Sequence, residues 1–294
     1  MTVTLAAAAA SFGRDLDDNY RTIEALVAEA TAQGADLLAL PEAAIGGYLS
    51  SLGGPEDTSR PESLPPAIRV DGPELARVRS LAGDLVVVLG ICEAAGPVDD
   101  PVRYNTVVAL TRDRILGVHR KVHQPLGENM SYAAGETFAA FDSPVGRLGL
   151  MICYDKAFPE GARTLALDGA EVIVCVSAWP AARTAGATDL AEDRWTRRFR
   201  LFDQARALEN QVIWVASNQA GTFHSLRFVS SAAVIGPGGD VLADTGVQAG
   251  LAVATVDVQQ ALATARRAMF HLRDRRPDAY DLSAVVAQEE LTDA

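Results

Sequence analysis

One stretch of this chain carries most of the information about its fold and its chemistry: Gly149-Leu150-Met151-Ile152-Cys153-Tyr154-Asp155-Lys156-Ala157-Phe158-Pro159-Glu160. An apolar, strand-like run ends in a single Cys, polar residues follow, and Phe158-Pro159-Glu160 is typical of the start of a helix. Such a turn places the Cys153 thiol beside backbone N–H groups and a helix N-terminus, which stabilise a thiolate. The pattern therefore predicts that Cys153 is a nucleophile rather than a core residue.

The bulk composition is that of a large, acidic α/β chain. Its 294 residues are 49% hydrophobic and 22% charged, which is enough apolar surface for one large core. The net charge of -12 argues against nucleic acid or an anionic membrane as a partner, and leaves a small molecule. No linker divides the chain, so we expect a single domain over residues 1–282 and a C-terminal tail over 283–294.

The apolar N-terminal segment raises the question of targeting. Ala6 to Ala10 could mimic the core of a signal peptide, but no basic segment precedes it and Gly13-Arg14-Asp15 follows at once. We interpret the segment as a first strand. No apolar run reaches the roughly 18 residues of a membrane span, so no membrane partner is expected.

The cysteine and histidine content argues against disulfides, metals and cofactors. Three cysteines, an odd and low count, point to a reducing compartment, and we expect a cytoplasmic protein. No Cys-x-x-Cys pair occurs, and the four histidines do not form a known ligand spacing. Cys92 and Cys175 have apolar neighbours on both sides and are interpreted as buried, inert thiols.

Hydrophobic periodicity predicts strands that alternate with helices. Helical spacing is predicted over 15–33, 72–82, 158–167, 190–210 and 259–268, and apolar runs between them predict strands. Two hairpins interrupt the alternation, around Arg112-Asp113-Arg114 and Pro237-Gly238-Gly239. This pattern favours a mixed sheet layered with helices over a pure parallel barrel.

Three reactive residues share one kind of position, the polar end of an apolar strand: Glu42, Lys121 and Cys153. Ligand sites in layered α/β folds gather at strand ends. A carboxylate there can accept the thiol proton, and an ammonium with the Tyr154 backbone N–H can stabilise an oxyanion. Each residue taken alone also has a non-catalytic interpretation. Glu42 could be a solvated loop residue, Lys121 could lie on an exposed face, and Cys153 could be a buried, inert thiol.

Several segments together resemble the nitrilase, or carbon–nitrogen hydrolase, superfamily over roughly residues 1 to 282. Leu40-Pro41-Glu42 with Gly47-Tyr48 resembles the family's Glu motif, His119 to His123 its Lys motif, and Gly149 to Glu160 its Cys motif. Further family-like signatures are Ala205 to Asn210 and Asp274-Arg275-Arg276-Pro277 with Tyr280.

The resemblance implies a four-layer α-β-β-α sandwich with mixed sheets that forms a homodimer or a higher homo-oligomer. It also implies roles: Cys153 as nucleophile, Glu42 as general base, and Lys121 as oxyanion stabiliser. Glu128 matches a second family carboxylate that holds the lysine. Glu136 is the weaker candidate for that position, and we interpret it as a loop carboxylate.

The substrate pocket is less well defined by the sequence. Tyr48, Tyr154 and Trp179 are candidate substrate-binding residues, and Trp179 fits a pocket wall and ordinary packing equally well. Gly53 to Pro66 is expected to shape the pocket rim. Four arginines follow the strand near Trp179: Arg183, Arg194, Arg197 and Arg198. One of them could hold a substrate carboxylate, although a place on the solvated face of the long helix, or pairing with Asp189, Glu192 and Asp193, is favoured.

The sequence around Cys153 favours one branch of the superfamily. Nitrile-cleaving branches more often carry Cys-Trp-Glu, whereas Cys153-Tyr154-Asp155 resembles the amidase and carbamoylase branches. We therefore expect a cofactor-free hydrolase that releases ammonia from a small carboxamide or an N-carbamoyl compound through a Cys thioester. The alternatives are a nitrilase, a thiol-based redox protein, which would need a resolving cysteine, and a non-catalytic binding protein. The acyl group and the stereochemistry are not predicted.

Overall fold

A computed structural model describes residues 1–50, 52 and 64–283 of the chain. Most of the expected pocket rim, and the tail from residue 284 onward, lie outside the described residues. The α-helices of the described part are Leu16–Ala32 (α1), Pro73–Leu81 (α2), Pro159–Leu167 (α3), Arg194–Asn210 (α4) and Val258–Arg266 (α5). Short 3-10 turns lie at Glu128–Met130, Cys153–Ala157, Leu190–Glu192 and Pro277–Ala279.

The strands of the described part alternate with these helices, and runs of consecutive strands interrupt the alternation. They are Thr2–Ala10 (β1), Leu37–Ala39 (β2), Val86–Ala95 (β3), Val102–Leu110 (β4), Ile115–Arg120 (β5), Phe141–Ser143 (β6), Gly146–Ile152 (β7), Val172–Ser177 (β8), Ile213–Gln219 (β9), Thr222–Phe223 (β10), Leu226–Arg227 (β11), Ala233–Ile235 (β12), Val241–Asp244 (β13) and Gly250–Asp257 (β14).

The main sheet consists of two halves that meet at β1. One half has the order β14-β1-β2-β3-β4-β5, and the other has the order β13-β12-β9-β8-β7-β6. Strand β1 runs parallel to β2 along Leu5 to Ala7, and its last two residues pair with Asn218 and Gln219 of β9. The two halves thus diverge from a short shared segment and face each other.

Two hydrophobic layers confirm the four-layer sandwich. Leu5 and Val88 of the first half pack in one buried cluster with Leu150 and Val174 of the second, so this cluster fills the space between the half-sheets. A second cluster joins the other face of the first half to α1 and α2. The first cluster also continues to the outer face of the second half-sheet, where α3 and α4 cover the sheet and Phe199 of α4 joins the cluster.

The alanine-rich first strand lies at the centre of this arrangement. Ala7 and Ala9 face the space between the half-sheets, whereas Ala6, Ala8 and Ala10 face the helix layer. All five are at most 7% exposed. The interpretation of this segment as a strand is confirmed, and its small side chains fit where two sheets and a helix layer converge.

Two details differ from the sequence-based expectation. The helix predicted over 190–210 begins at Arg194, because Asp193 caps it and accepts a hydrogen bond from the Trp195 N–H at 2.8 Å. The preceding turn Leu190–Glu192 is separate. The short strand β6 and the β10–β11 hairpin were not predicted, since three- and two-residue strands leave little periodicity. Within the described residues, no helix is long and apolar enough to cross a membrane.

Candidate active site

Cys153 occupies a strained position directly after β7. It is the first residue of the 3-10 turn Cys153–Ala157, and its φ of 48° lies in the left-handed region. Such a conformation costs a non-glycine residue about 1–3 kcal/mol and persists only where the surroundings impose it. The side chain is 4% exposed. The turn therefore needs external contacts that hold it in place.

The Asp155 carboxylate supplies those contacts and ties the cysteine turn to the strand end that carries the lysine. It accepts hydrogen bonds from the Ile152 N–H at 3.1 Å and the His123 N–H at 2.9 Å. Its oxygens also lie 3.1 Å from His119 Nε2 and 2.9 Å from His123 Nδ1. Because the two histidines flank Lys121 in sequence, this buried carboxylate fixes the backbone of Lys121 relative to Cys153.

The charge state of Asp155 suits this role. Burial by itself raises the pKa of the Asp155 carboxyl, but hydrogen bonds from His119 and His123 outweigh burial and hold the pKa below its usual range. The group is therefore an anion throughout the physiological pH range. We call Asp155, His119 and His123 the Asp155 clamp.

Glu42 is placed by a close approach between two backbone segments. It follows β2, and the chain there lies so close to Gly90 of β3 that a Cβ at Gly90 would be 2.6 Å from the Glu42 Cα. The Gly90 N–H donates to the Pro41 carbonyl at 3.1 Å, and the Gln219 side-chain amide donates to the Glu42 carbonyl at 2.9 Å. The absence of a side chain at Gly90 thus lets Glu42 turn into the site.

Lys121 lies between two buried carboxylates. Its Nζ is 2.8 Å from Glu42 Oε1 and 2.7 Å from Glu128 Oε2, and all three side chains are fully buried. Asn105 Nδ2 donates to one oxygen of each carboxylate at 2.6 Å. The Ala178 N–H donates to the second oxygen of Glu42 at 2.5 Å.

The pKa directions in this cluster reflect one cation held between two buried carboxylates. Burial alone would lower the pKa of Lys121, but Glu128 and Glu42 outweigh burial and raise it well above its usual range. Burial, followed by repulsion from Glu42, raises the pKa of Glu128 even though Lys121 opposes the shift. One ammonium therefore lies between two buried carboxylates that share its charge.

The expectation of a stabilised thiolate is wrong for the resting site. Burial raises the pKa of the Cys153 thiol well above its usual range, and the charge of Glu42 raises it further. Lys121 and Lys156 act in the opposite direction but do not compensate. The turn supplies geometry rather than acidity, so the Cys153 thiol is neutral and could act as a nucleophile only after losing its proton to a base.

A second buried ion pair supports the turn from the helix side. Lys156 Nζ lies 2.9 and 3.0 Å from the two oxygens of Asp203 in α4, and the Trp214 indole N–H donates to Asp203 at 2.9 Å. The ammonium also lies 3.1 Å from the ring centroid of Phe199. Burial raises the pKa of Asp203 despite these contacts. Lys156 therefore anchors the residues that follow Cys153 to α4.

A cavity of about 450 Å³ opens onto Cys153. Its lining is mostly apolar and aromatic: Tyr48, Leu52, Pro125, Leu126, Cys153, Tyr154, Ala157, Ala178, Trp179, Pro180, Trp195, Arg198 and Phe202. This volume and this lining are typical of a small-molecule site. No cluster of His, Cys, Asp and Glu within the described residues could hold a metal ion.

The structure places the three predicted pocket residues along this cavity. Tyr48 also donates from its hydroxyl to Glu128 at 3.2 Å, and the half-buried Tyr154 directly follows Cys153. For Trp179 the sequence left open a pocket wall and ordinary packing, and both hold. Trp179 lines the cavity and also packs edge-on against Trp195 and Phe202.

Of the two carboxylates considered beside Lys121, Glu128 lies in the site and Glu136 is exposed elsewhere, as expected. Cys92 and Cys175 are buried free thiols. Burial raises the pKa of both, that of Cys175 to about 12. They are therefore poor nucleophiles.

The four arginines have different surroundings. Arg197 pairs with Glu192 at 2.5 Å, Arg194 donates to the Ala185 carbonyl at 3.2 Å, and Arg183 donates to the Leu52 carbonyl. Arg198 instead lines the cavity. Arg194, Arg197 and Arg198 are exposed on α4, as expected, and Arg197 also makes the expected pair with an acidic residue.

Sequence reasoning missed Asn105 and both halves of the Lys156–Asp203 pair, and gave the Asp155 clamp no role. Asn105 is a polar residue at the start of a buried apolar run in β4, which is a signal that could have found it. Asp155 and Lys156 lie inside the stretch that identified Cys153, yet nothing local shows which distant groups they contact.

Comparison with known proteins assigns the family. The family model for carbon-nitrogen hydrolases matches residues 4–267. The chain belongs to the carbon–nitrogen hydrolase family. An N-carbamoylputrescine amidase of Solanum lycopersicum is 31% identical over 295 residues, which cover 95% of this chain and 93% of that protein. A probable nitrilase of Schizosaccharomyces pombe is 35% identical over 179 residues, only 60% of this chain and 61% of that protein.

A solved structure of this carbon–nitrogen hydrolase family agrees in fold and supports a cysteine nucleophile. An amidase from Nesterenkonia sp. superposes with a TM-score of 0.73 at 26% identity, covering 94% of each chain. A mutant of the amidase from Nesterenkonia sp. AN1, 25% identical, carries the product of Michael addition of acrylamide at its active site cysteine. The likeness confirms the predicted nitrilase-like fold.

The raised pKa of Cys153 predicts a neutral thiol at pH 7. The ultraviolet spectrum of the Cys153→Ser variant is subtracted from that of the wild type at each pH. In this difference, the absorbance of a thiolate should appear only above pH 9.0, the ordinary pKa of a thiol. Tyrosine ionisation cancels in this difference. A full thiolate signal already present at pH 7 would contradict the analysis.

The Asp155 clamp predicts that Asp155→Asn lowers kcat about 100-fold with a smaller change in KM, because a displaced turn misaligns the nucleophile. Steady-state kinetics on any amide that the protein hydrolyses measures this. Asp142→Asn is the matched control, since the Asp142 side chain is 91% exposed and, among the residues that the structure describes, pairs with Arg147. Equal kcat values for the two variants would show that Asp155 does not position the site.

Proposed function

We propose that this carbon–nitrogen hydrolase cleaves a small carboxamide or N-carbamoyl compound at Cys153 and releases ammonia. The observation that carries the proposal is the fully buried ion cluster of Glu42, Lys121 and Glu128, which shares one site with a neutral thiol at a cavity floor. A base, a cation and a nucleophile are the groups that amide hydrolysis without a cofactor requires.

The first half of the proposed reaction acylates Cys153. Glu42 takes the thiol proton as sulfur bonds to the carbonyl carbon, and the resulting oxyanion is stabilised by the Lys121 ammonium and the Tyr154 backbone N–H. The C–N bond then breaks, and the proton held by Glu42 passes to the departing nitrogen. Ammonia leaves and a thioester remains on Cys153.

The second half returns the enzyme to its resting state. Water takes the position of ammonia, Glu42 removes one of its protons, and the oxygen attacks the thioester carbon. The C–S bond breaks, and the carboxylic or carbamic acid is released. Glu42 gives its proton back to sulfur, which restores the neutral thiol favoured by burial. Glu128 keeps Lys121 charged and in place in both halves.

Ammonia release tests this proposal. A panel of small amides, N-carbamoyl compounds and nitriles is assayed with the wild type, Cys153→Ala and a matched control, Cys175→Ala, which removes a buried thiol outside the cavity. We expect amide or carbamoyl turnover in the wild type and the control, and none in Cys153→Ala. In Glu42→Gln we expect neither turnover nor an acyl adduct on Cys153, because both half-reactions lose their base. Mass spectrometry of the acid-quenched wild type should detect the adduct.

The other outcomes have distinct meanings. Turnover of nitriles without turnover of amides would assign the protein to the nitrilase alternative. The support for that alternative is the partial match to a probable nitrilase. Activity retained in Cys153→Ala would exclude the thiol mechanism.

We also propose a homodimer or a higher homo-oligomer, with α3 and the C-terminal tail contributing. Large exposed apolar side chains support this: Leu167 of α3 is 51% exposed, Leu201 of α4 is 66% exposed, and Met269, on the segment that leads to the tail, is 66% exposed. Burial of such a surface against a second copy is favourable. Light scattering should give at least twice the chain mass of 31.1 kDa, and a mass of 31.1 kDa would refute the proposal.

The three cysteines support a reducing, cytoplasmic location, because all three are free thiols. Fractionation of the source cells tests this proposal, and recovery of the protein in an oxidising compartment would contradict it.

A further inference from the structure

The charge on the cavity lining is confined to one residue. Among the described residues that line the cavity, Arg198 is the single charged one, and the rest are apolar, aromatic or the nucleophile itself. Arg198 is exposed to solvent, whereas Cys153 is buried. The same cavity therefore joins an exposed cation to a buried thiol.

The helix geometry holds Arg198 toward the cavity. Trp195, Arg198 and Phe202 are separated by three and four residues along α4, so they lie on one face of the helix. All three line the cavity. The guanidinium is thus carried on the same stripe as two aromatic wall residues.

The neighbouring arginines of α4 are engaged elsewhere, and Arg198 is not. Arg197 pairs with Glu192, Arg194 contacts the Ala185 carbonyl, and Arg200 lies 4.0 Å from Asp244. Arg198 has neither a hydrogen bond nor an ion pair with the residues that the structure describes. Its charge is therefore left for a group that enters the cavity.

We infer that Arg198 binds a carboxylate at the end of the substrate remote from the scissile C–N bond. This inference rests on the proposed function and narrows it to amides and N-carbamoyl compounds that end in an anion. A guanidinium forms bidentate, charge-assisted hydrogen bonds with a carboxylate. The apolar walls between Arg198 and Cys153 fit the methylene chain that joins the two ends of such a substrate. A substrate with a cationic end would meet repulsion at the same position.

The experiment compares three amides of equal chain length: glutaramate, which is anionic, valeramide, which is neutral, and delta-aminovaleramide, which is cationic. We expect the wild type to favour glutaramate over valeramide in kcat/KM, with delta-aminovaleramide the poorest. In Arg198→Gln this preference should fall about 10- to 100-fold, because a hydrogen-bonded charge is lost. Arg198→Glu should favour delta-aminovaleramide over glutaramate.

Arg197→Gln is the matched control, because this adjacent arginine pairs with Glu192 and does not line the cavity. It should retain the wild-type order of the three amides. If the wild type shows no preference for glutaramate, or if Arg197→Gln and Arg198→Gln lower it equally, the inference is overturned. Either result leaves the amidase proposal standing as long as valeramide is hydrolysed through Cys153. Failure on all amides and carbamoyl compounds, with no acyl adduct, would instead refute the proposed function.

Discussion

The site depends on the burial of one lysine between two carboxylates. Removing three charges from water costs several kcal/mol per ion unless geometry and hydrogen bonds compensate. The fold provides that compensation from different parts of the chain: Asn105 of β4 bridges Glu42 and Glu128, and the Ala178 N–H reaches the remaining oxygen of Glu42. Because each contact comes from a separate strand or loop, the ion cluster exists only when both half-sheets are in place. The site can therefore form only in the completely folded protein.

The divergence of two half-sheets from β1 explains how these groups meet. Glu42 follows a strand of the first half, Cys153 follows a strand of the second, and the cavity opens where the strand ends face one another. A carboxylate that fixed only one sheet could not maintain the distance between them. Asp155 fixes both, since it holds the cysteine turn and the backbone on each side of Lys121. The strained φ of Cys153 is stable because this clamp and the Lys156–Asp203 pair restrain the turn from two directions.

The sequence was most informative where a given residue type at a given position has few structural or chemical roles. A cysteine at a strand-to-helix turn, and carboxylate and ammonium groups at other strand ends, were found because the polar residue interrupts an apolar run. Periodicity likewise predicted the layered sheet, since nearly every long strand and helix is buried on a regular face. Local sequence cannot show burial by distant segments, which is why the raised pKa of Cys153 was not foreseen. The same limit hid Asn105 and Lys156, whose partners are more than 20 residues away.

The neutral resting thiol is consistent with an efficient nucleophile once the charges are followed through the reaction. Before attack, the Glu42 carboxylate opposes the formation of a thiolate beside it. In the proposed mechanism, the thiol proton moves to Glu42, and the negative charge passes to sulfur and then to the carbonyl oxygen as the new bond forms. Lys121, relieved of one anionic partner, is then free to stabilise the oxyanion. The ammonium thus binds charge most strongly at the transition state, which is the condition for an interaction to accelerate the chemical step rather than only tighten binding.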